Sequence, residues 1–197
     1  MSGHAPIPYT TEARPDTGVS NATMGFWLFI ASEVMLFGAL FSSYALLRVA
    51  ATDWPSGREV LNLTLGTANT FVLIGATLMM LSAAKQKRSV TWMLVAASFV
   101  AAMFLAMKGL EYRAEWVQGI RPATSTFWAM YFTLTGLHAL HVVGGIAANI
   151  WVLLGARSVG EAPVREAMTS SRLRVVARYW VFVDAIWIVM FVGLYLS

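Results

Sequence analysis

Five long apolar stretches constrain the fold of this sequence more than any other feature. They cover residues 25–47, 63–84, 90–110, 126–154 and 179–196. Each is within or above the range of about 17–25 residues that cross the hydrocarbon core of a bilayer as an α-helix. We therefore predict an all-α fold, a polytopic transmembrane bundle of about five helices over residues 25–197. A polar tail over residues 1–24 precedes it.

The composition agrees with a membrane protein. Of the 197 residues, 58% are hydrophobic and 12% are charged, whereas soluble domains carry about 25% charged residues. The net charge of +4 could suggest a nucleic-acid partner, but the basic residues cluster in short segments between the apolar stretches. That distribution indicates membrane topology, and we expect no nucleic-acid binding.

The basic residues also predict the orientation. In a five-span chain, the N-terminal tail and the second and fourth connections lie on the same side, and they hold nine of the fourteen lysines and arginines. These nine are Arg14, Lys85, Lys87, Arg88, Arg157, Arg165, Arg172, Arg174 and Arg178. Because basic loops stay in the cytoplasm, we expect a cytoplasmic N-terminus and an external C-terminus.

The residue inventory excludes several classes of membrane protein. The sequence has no cysteine, which rules out thiolate metal sites. It also has no phosphate-binding glycine-rich loop, which argues against the core of an ATP-driven transporter. Only two histidines lie in the spans, and both are in the fourth, whereas a quinol-oxidising cytochrome needs paired histidines on facing helices. We expect no redox centre and no catalytic residue in this chain.

Glu33 lies inside the first predicted span, where an ionisable residue is costly and needs a reason. One interpretation is a proton-linked or lipid-linked carboxyl that faces the interior of the bundle. The other is a hydrogen-bonded tie between helices through Ser32, Ser42 or another neighbour. The sequence leaves both open.

His138 and His141 lie three residues apart in the fourth span, a spacing that predicts one shared helix face. Two such histidines can bind a metal, but the site would need carboxylates to complete it, and His4 in the tail is the only other histidine. Hydrogen bonding between helices is the favoured interpretation, and we expect no metal. Asp184 in the fifth span is expected to join the same polar network or to bond to a neighbouring helix.

Two further groups are interpreted as structural. Lys108 and Glu111 can pair on one face of the third helix, and Lys108 could also extend towards the membrane surface. Six aromatic residues near the span ends are expected to form interfacial belts: Trp27, Trp92, Trp116, Trp151, Tyr179 and Trp180.

These residues belong to a series of motifs that resembles one family. Gly25-Phe-Trp-Leu-Phe-Ile-Ala-Ser-Glu33 resembles the glutamate-bearing helix of cytochrome c oxidase subunit III, and Asn69-Thr70 and Glu111-Tyr112 resemble pairs in its next two helices. Thr135-Gly-Leu-His-Ala-Leu-His141-Val is similar to its Thr-Gly-x-His-x-x-His-Val signature. Tyr179-Trp-Val-Phe-Val-Asp184-Ala-Ile-Trp187 resembles its closing helix. Five motifs in order, one per span, make the resemblance specific.

The resemblance implies a subunit III in a bacterial haem–copper terminal oxidase of the inner membrane. Such a subunit binds no cofactor of its own; haem and copper lie in partner subunits I and II. It packs against catalytic subunit I, binds phospholipid and supports proton uptake, in some cases within a respiratory supercomplex. Glu33 then matches the family's carbodiimide-reactive glutamate. His138, His141 and Asp184 match a polar tie between the last two helices, and Glu111 matches the acid at the end of the third.

Two departures from the family pattern stand out. The family often has seven spans, and this sequence matches the last five, so one wall of the usual lipid cleft has no counterpart here. Val181 replaces a histidine of the closing helix, which predicts a change of partner for His138 or His141.

Three alternatives remain open. Quinol oxidases share these motifs, so the sequence does not identify the electron donor. A subunit III-like protein associated with nitric oxide reductase is also compatible with them. An independent transporter, with Glu33 and the histidines in its path, fits the order of the motifs least well.

Overall fold

The computed structural model describes residues 12–85, 90–158 and 162–196, and the regular structure in these ranges is helical. These ranges contain six α-helices: α1 Asn21–Ala50, α2 Gly57–Val60, α3 Leu63–Lys85, α4 Val90–Val117, α5 Thr126–Ser158 and α6 Ala162–Met190. A π-helical turn, Phe191–Tyr195, continues α6. Five of the α-helices, all except α2, are long and apolar enough to cross a membrane. The prediction of a multi-pass helical membrane protein is confirmed.

The helices extend beyond the predicted spans. Helix α1 begins at Asn21, inside the predicted tail, and α4 continues to Val117 rather than ending near residue 110. The predicted connection between the fourth and fifth spans is also largely helical, because α5 continues to Ser158 and α6 begins at Ala162. The spans were predicted from the length of the apolar stretches alone, and these helices continue for some turns into the polar residues that flank those stretches. Lys87, Arg88 and residues 1–11 lie outside the described ranges.

Local signals explain several helix ends. The Ser20 hydroxyl accepts a hydrogen bond from the Thr23 backbone N–H (3.4 Å) and caps α1. Helix α4 ends at Val117 and is followed by Gly119, which has a positive φ of 79°, and the Ile120 N–H donates back to the Glu115 carbonyl at 3.0 Å. This is the Schellman arrangement, which turns the chain sharply towards α5.

Helix α6 lies at the centre of the bundle. It packs against α3, α5 and α1, while α4 closes the bundle by packing against α3 and α5. The tryptophans of α6, Trp180 and Trp187, are buried with Phe104 of α4 and Tyr131 of α5 in the core. Helix α1 contacts α5 and α6 at the edge and exposes many large apolar side chains, as a helix facing lipid or another subunit does.

Helix α1 and the segment that connects it to α3 hold the π-helical turn in place. The Tyr44 hydroxyl of α1 donates to the Gly193 carbonyl at 2.8 Å, and Arg58 of α2 donates to the Leu196 carbonyl at 3.0 Å. Gly57 packs so closely against the Leu194 carbonyl that a side chain would collide with it. These contacts fix the position of Tyr195, which enters the polar interior described below.

Helices α5 and α6 approach each other closely at Gly145. A Cβ atom there would lie 2.7 Å from the Trp180 ring, inside van der Waals contact. Trp180 was expected in an interfacial belt, but it is 0% exposed and donates from Nε1 to Asn149 Oδ1 at 3.1 Å. Gly145 leaves the space that this buried indole occupies.

We predict that Gly145→Ala destabilises the bundle by about 1–3 kcal/mol, because a fully packed tryptophan has to shift to admit the methyl group. Gly75→Ala on α3 is the matched control, since nothing lies within 4 Å of its added Cβ. Thermal unfolding of the detergent-purified protein measures both. Equal midpoints for the two variants would contradict the close packing at Gly145.

Candidate functional site

Glu33 and His141 form an ion-pair or hydrogen-bond contact that joins α1 to α5. Glu33 Oε2 lies 2.9 Å from His141 Nε2, and the two side chains are 14% and 12% exposed. His141 Nδ1 lies 2.8 Å from the Leu137 carbonyl oxygen. A carbonyl can only accept, so Nδ1 carries a hydrogen and Nε2 faces the carboxyl group.

This arrangement places one shared proton between Glu33 and His141. Either a protonated carboxyl donates to a neutral imidazole, or an imidazolium donates to a carboxylate. The pair has no net charge in either form, which suits a site inside a membrane. The geometry can therefore hold, and in principle exchange, one proton at a position that is partly open to the surface.

Aromatic groups from α1 and α6 surround the Glu33–His141 pair. Phe37 of α1 packs edge-on against the His141 ring, with centroids 5.2 Å apart. Tyr179 of α6 donates its hydroxyl to the His141 backbone carbonyl at 2.8 Å and also contacts Phe29. Ser32, one of the partners considered for Glu33, donates instead to the Phe29 carbonyl at 2.7 Å.

A second polar cluster is built around Lys108 and Glu111 of α4. Lys108 Nζ donates to Glu111 Oε2 (2.9 Å), to the Tyr131 hydroxyl (3.0 Å) and to the Tyr195 hydroxyl (2.9 Å). Both tyrosines donate to Glu111 Oε1, at 2.8 and 2.7 Å. All three ammonium hydrogens have an acceptor, so the cluster is closed on itself.

The Lys108 cluster is fully inside the protein. The Lys108 and Glu111 residues are each 3% exposed, so the predicted pair exists, but the lysine does not extend to the membrane surface. Four aromatic rings lie 4.9–5.7 Å from Nζ, those of Tyr112, Tyr131, Trp187 and Tyr195. Cation–π attraction adds to the hydrogen bonds in holding the ammonium group.

The structure separates the two histidines that the spacing placed on one face. His141 reaches Glu33 of α1, whereas His138 is buried between Phe104 of α4 and Trp187 of α6. Three residues advance an α-helix by about 300°, which leaves the side chains roughly 60° apart and able to meet different helices. The histidine contact with a carboxylate ties α5 to α1, not the last two helices to each other.

Three other predicted residues are buried away from the Glu33–His141 pair. Asp184 lies beside Thr77 of α3, and its Oδ1 has no hydrogen-bond partner in the described structure. Asn69 and His138 are also without side-chain partners there. Val181 is 45% exposed on the outer side of α6, so a histidine at that position would not point at His138.

Metal binding finds no support in the described ranges. Residues 12–85, 90–158 and 162–196 contain no group of three histidine, aspartate or glutamate side chains that could hold an ion. Glu33 and His141 supply two ligands only.

The sequence did not single out two residues of these sites, Tyr131 and Tyr195, which complete the Lys108 cluster. Tyr112, from the Glu111-Tyr112 pair, shares a hydrogen bond with Thr135 at 2.6 Å. A partial signal exists in α5, where Tyr131, Thr135 and His138 follow one another at helical spacing. Tyr195 carries no such signal, because it reaches the cluster through the π-helical turn at the C-terminus.

Comparison with known proteins shows one family and a consistent set of relatives. The family described as cytochrome c oxidase subunit III matches residues 15–197. The cytochrome bo(3) ubiquinol oxidase subunit 3 of Pseudomonas aeruginosa is 30% identical, over 92% of this chain and 87% of the relative. The quinol oxidase subunit 3 of Bacillus subtilis is 29% identical, over 99% of this chain and 94% of the relative.

We predict that Lys108→Met costs about 3–5 kcal/mol of stability, because it leaves Glu111 buried without its cation. The double variant Lys108→Met/Glu111→Gln should lose less than the sum of the two single changes, since both charges are then removed. Lys85→Met, at the exposed end of α3, is the matched control and should be neutral. The thermal midpoints of the unaltered protein, Lys108→Met, Glu111→Gln, the double variant and the control give the comparison, and additive losses would contradict a coupled cluster.

Proposed function

The chain belongs to the cytochrome c oxidase subunit III family, and on that premise we propose that it stabilises the catalytic subunit of a bacterial haem–copper terminal oxidase and supports its proton uptake. Membership makes it a non-catalytic subunit of a multi-subunit oxidase. The match over residues 15–197 is the observation that carries this proposal. Haem and copper would then lie in subunits I and II.

The electron donor is proposed from the relatives. The two relatives named above are a ubiquinol oxidase subunit and a quinol oxidase subunit, which favours quinol over cytochrome c for the complex that contains this chain. The donor binds elsewhere in such a complex, so nothing in the bundle itself argues for either one.

Attachment to a partner is supported by α1. This helix packs loosely at the edge of the bundle and exposes a broad apolar surface that includes Leu28, Met35 and Leu46. A surface of this kind suits lipid tails or the transmembrane helices of another subunit. We assign it to the lipid-lined contact with subunit I.

Phospholipid binding is supported at one end of the bundle. A cavity of about 210 Å³ lies between the start of α1 and the polar first half of α6, and Ser20, Thr23, Arg174 and Arg178 are among the residues that line it. Arginines and hydroxyls are suitable donors for a phosphate group, and anionic lipids attract basic side chains at the cytoplasmic surface. The proposed orientation, with the N-terminus in the cytoplasm of a bacterial inner membrane, places this cavity at that surface.

Support for proton uptake comes from the Glu33–His141 pair. Its one shared proton lies close to the surface of the bundle, beside the exposed helix α1. A carboxyl–imidazole pair can pass a proton by changing which partner carries it. We propose that this pair exchanges protons with the region where α1 meets lipid or subunit I, and we assign no pumping step to it.

We predict that the tagged chain, purified from its native membrane in mild detergent, brings a haem-containing catalytic subunit with it. A visible spectrum and mass identification would establish the partner, and phosphorus analysis would detect bound phospholipid. Oxidation of quinol rather than cytochrome c by the preparation would identify the donor. Recovery of a nitric oxide reductase would indicate the alternative partner, and recovery of a folded, colourless single chain would contradict the oxidase assignment.

We predict that Glu33→Gln leaves the oxidase assembled but lowers its turnover or shortens the time over which turnover is sustained. Glutamine is nearly isosteric and can still hydrogen-bond to His141, but it cannot exchange a proton. Glu59→Gln removes an exposed carboxyl group on α2 and is the control. Oxygen consumption is followed in both variants, together with haem content. Unchanged turnover over prolonged assay would leave Glu33 with a structural role only.

A further inference from the structure

In the part of the bundle that the structure describes, two fully buried polar side chains have no hydrogen-bond partner. Asn69 of α3 and His138 of α5 are both 0% exposed. Within the described part of the chain, neither amide atom of Asn69 and neither ring nitrogen of His138 has a partner. Leaving one such group unsatisfied costs about 1–3 kcal/mol, and more than about 90% of buried polar groups in folded proteins are paired.

A change of side-chain assignment does not solve this problem. Exchanging the amide oxygen and nitrogen of Asn69 leaves both atoms unpaired, because neither position has a hydrogen-bond partner. The same holds for the two tautomers of His138, in which one nitrogen donates and the other accepts. Asn69 and His138 therefore have unused donors and acceptors in either amide orientation and in either tautomer.

The polar groups nearby are already engaged. All three hydrogens of the Lys108 ammonium group go to Glu111, Tyr131 and Tyr195. The Trp187 N–H donates to the Thr70 hydroxyl at 3.0 Å, and that hydroxyl donates to the Gly66 carbonyl at 2.9 Å.

The hydroxyl of Thr135, one turn before His138, is engaged as well. It is bonded to the Tyr131 carbonyl and to Tyr112, both at 2.6 Å. No hydroxyl, ammonium or indole N–H of these described neighbours remains for His138 or Asn69.

Trp187 contacts His138 and also Thr70, the residue that follows Asn69. The His138 ring is 5.1 Å from the Trp187 ring, centroid to centroid. Asn69 directly precedes Thr70, the residue to which the Trp187 N–H is bonded, and it is on the buried face of α3. One indole therefore connects the part of α3 that carries Asn69 with the part of α5 that carries His138.

We propose that Asn69 and His138 share an internal water site, enclosed by α3, α4, α5 and α6 beside Trp187. Water can donate two hydrogen bonds and accept two, so it complements an amide and an imidazole that each offer both kinds of group. Folded proteins hold about one buried water per 27 residues, typically where several otherwise unpaired polar groups converge. The site is separate from the Glu33–His141 pair and does not depend on the proposed oxidase function.

An aromatic contact cannot replace the water. Phe104 lies edge-on to His138, at 5.6 Å between centroids and an interplanar angle of 83°, and an N–H directed at an aromatic face is a weak hydrogen bond. Such a contact could engage one nitrogen of His138 at most. The second nitrogen and both polar atoms of Asn69 would still require partners.

The direct test is a map of the purified protein, in whatever complex it forms, at a resolution that shows ordered water. We expect a peak within about 2.7–3.2 Å of a His138 ring nitrogen and of an Asn69 amide atom. A direct hydrogen bond between the two side chains, or contacts with no ordered peak between them, would overturn the proposal.

A mutant cycle tests the same site without a map. Asn69→Leu and His138→Phe should each lower the thermal midpoint by about 2–4 °C or more, because each strands the shared water beside one remaining polar group. The double variant should lose clearly less than the sum of the two, since both polar groups are then gone.

Two further comparisons make the cycle decisive. Asn149→Leu removes a buried amide with direct partners, Ser98 and Trp180, and shows the loss expected for a paired group. If Asn69 and His138 lie in a dry site, each apolar replacement should be neutral or stabilising. That result, or strictly additive losses, would contradict a shared water.

Discussion

An ammonium group without access to water must be surrounded by its own acceptors, and Lys108 meets this requirement inside the bundle. Its three hydrogens reach Glu111, Tyr131 and Tyr195, so α4, α5 and the C-terminal turn are joined at one point. The desolvation of two charges is costly, which makes a complete set of partners necessary. The α1–α3 connection, the π-helical turn and the position of Tyr195 are all arranged so that this set is complete.

Other buried polar groups of the bundle also need hydrogen-bond partners, and they find them in different places. Glu33 and His141 satisfy each other at the edge of the bundle, where their shared proton stays near the surface. Asn149 is paired with Ser98 and Trp180 deep between α4, α5 and α6. The bundle thus combines a closely packed interior with a carboxyl–imidazole pair at its edge. That combination is compatible with the role proposed above, in which the chain supports a neighbouring catalytic subunit.

Particular residues show how far the sequence could be interpreted. The apolar stretches predicted the five spanning helices, because a bilayer demands a certain length of apolar helix. Glu33, His138, His141 and Asp184 were selected because polar groups in such stretches are rare. Their partners were not predictable: His141 meets α1 while His138 faces α4 and α6, although only three residues separate them. Trp180 was predicted to lie at the interface, but it is buried. An aromatic residue near the end of a span gives the same sequence signal whether it faces lipid or the core.

The sequence by itself determined the membrane class, the number of spans, the absence of cysteine chemistry and, through the order of its motifs, the resemblance to subunit III. These follow from composition and local spacing, which act along one helix at a time. Only the tertiary structure decided which polar groups meet. Tyr195 joins Lys108 from 87 positions away, and Glu33 meets His141 across 108. Such pairings depend on the rotation and depth of each helix against its neighbours. These helices are apolar on nearly every side, so the sequence does not indicate which side is buried, and packing decides both.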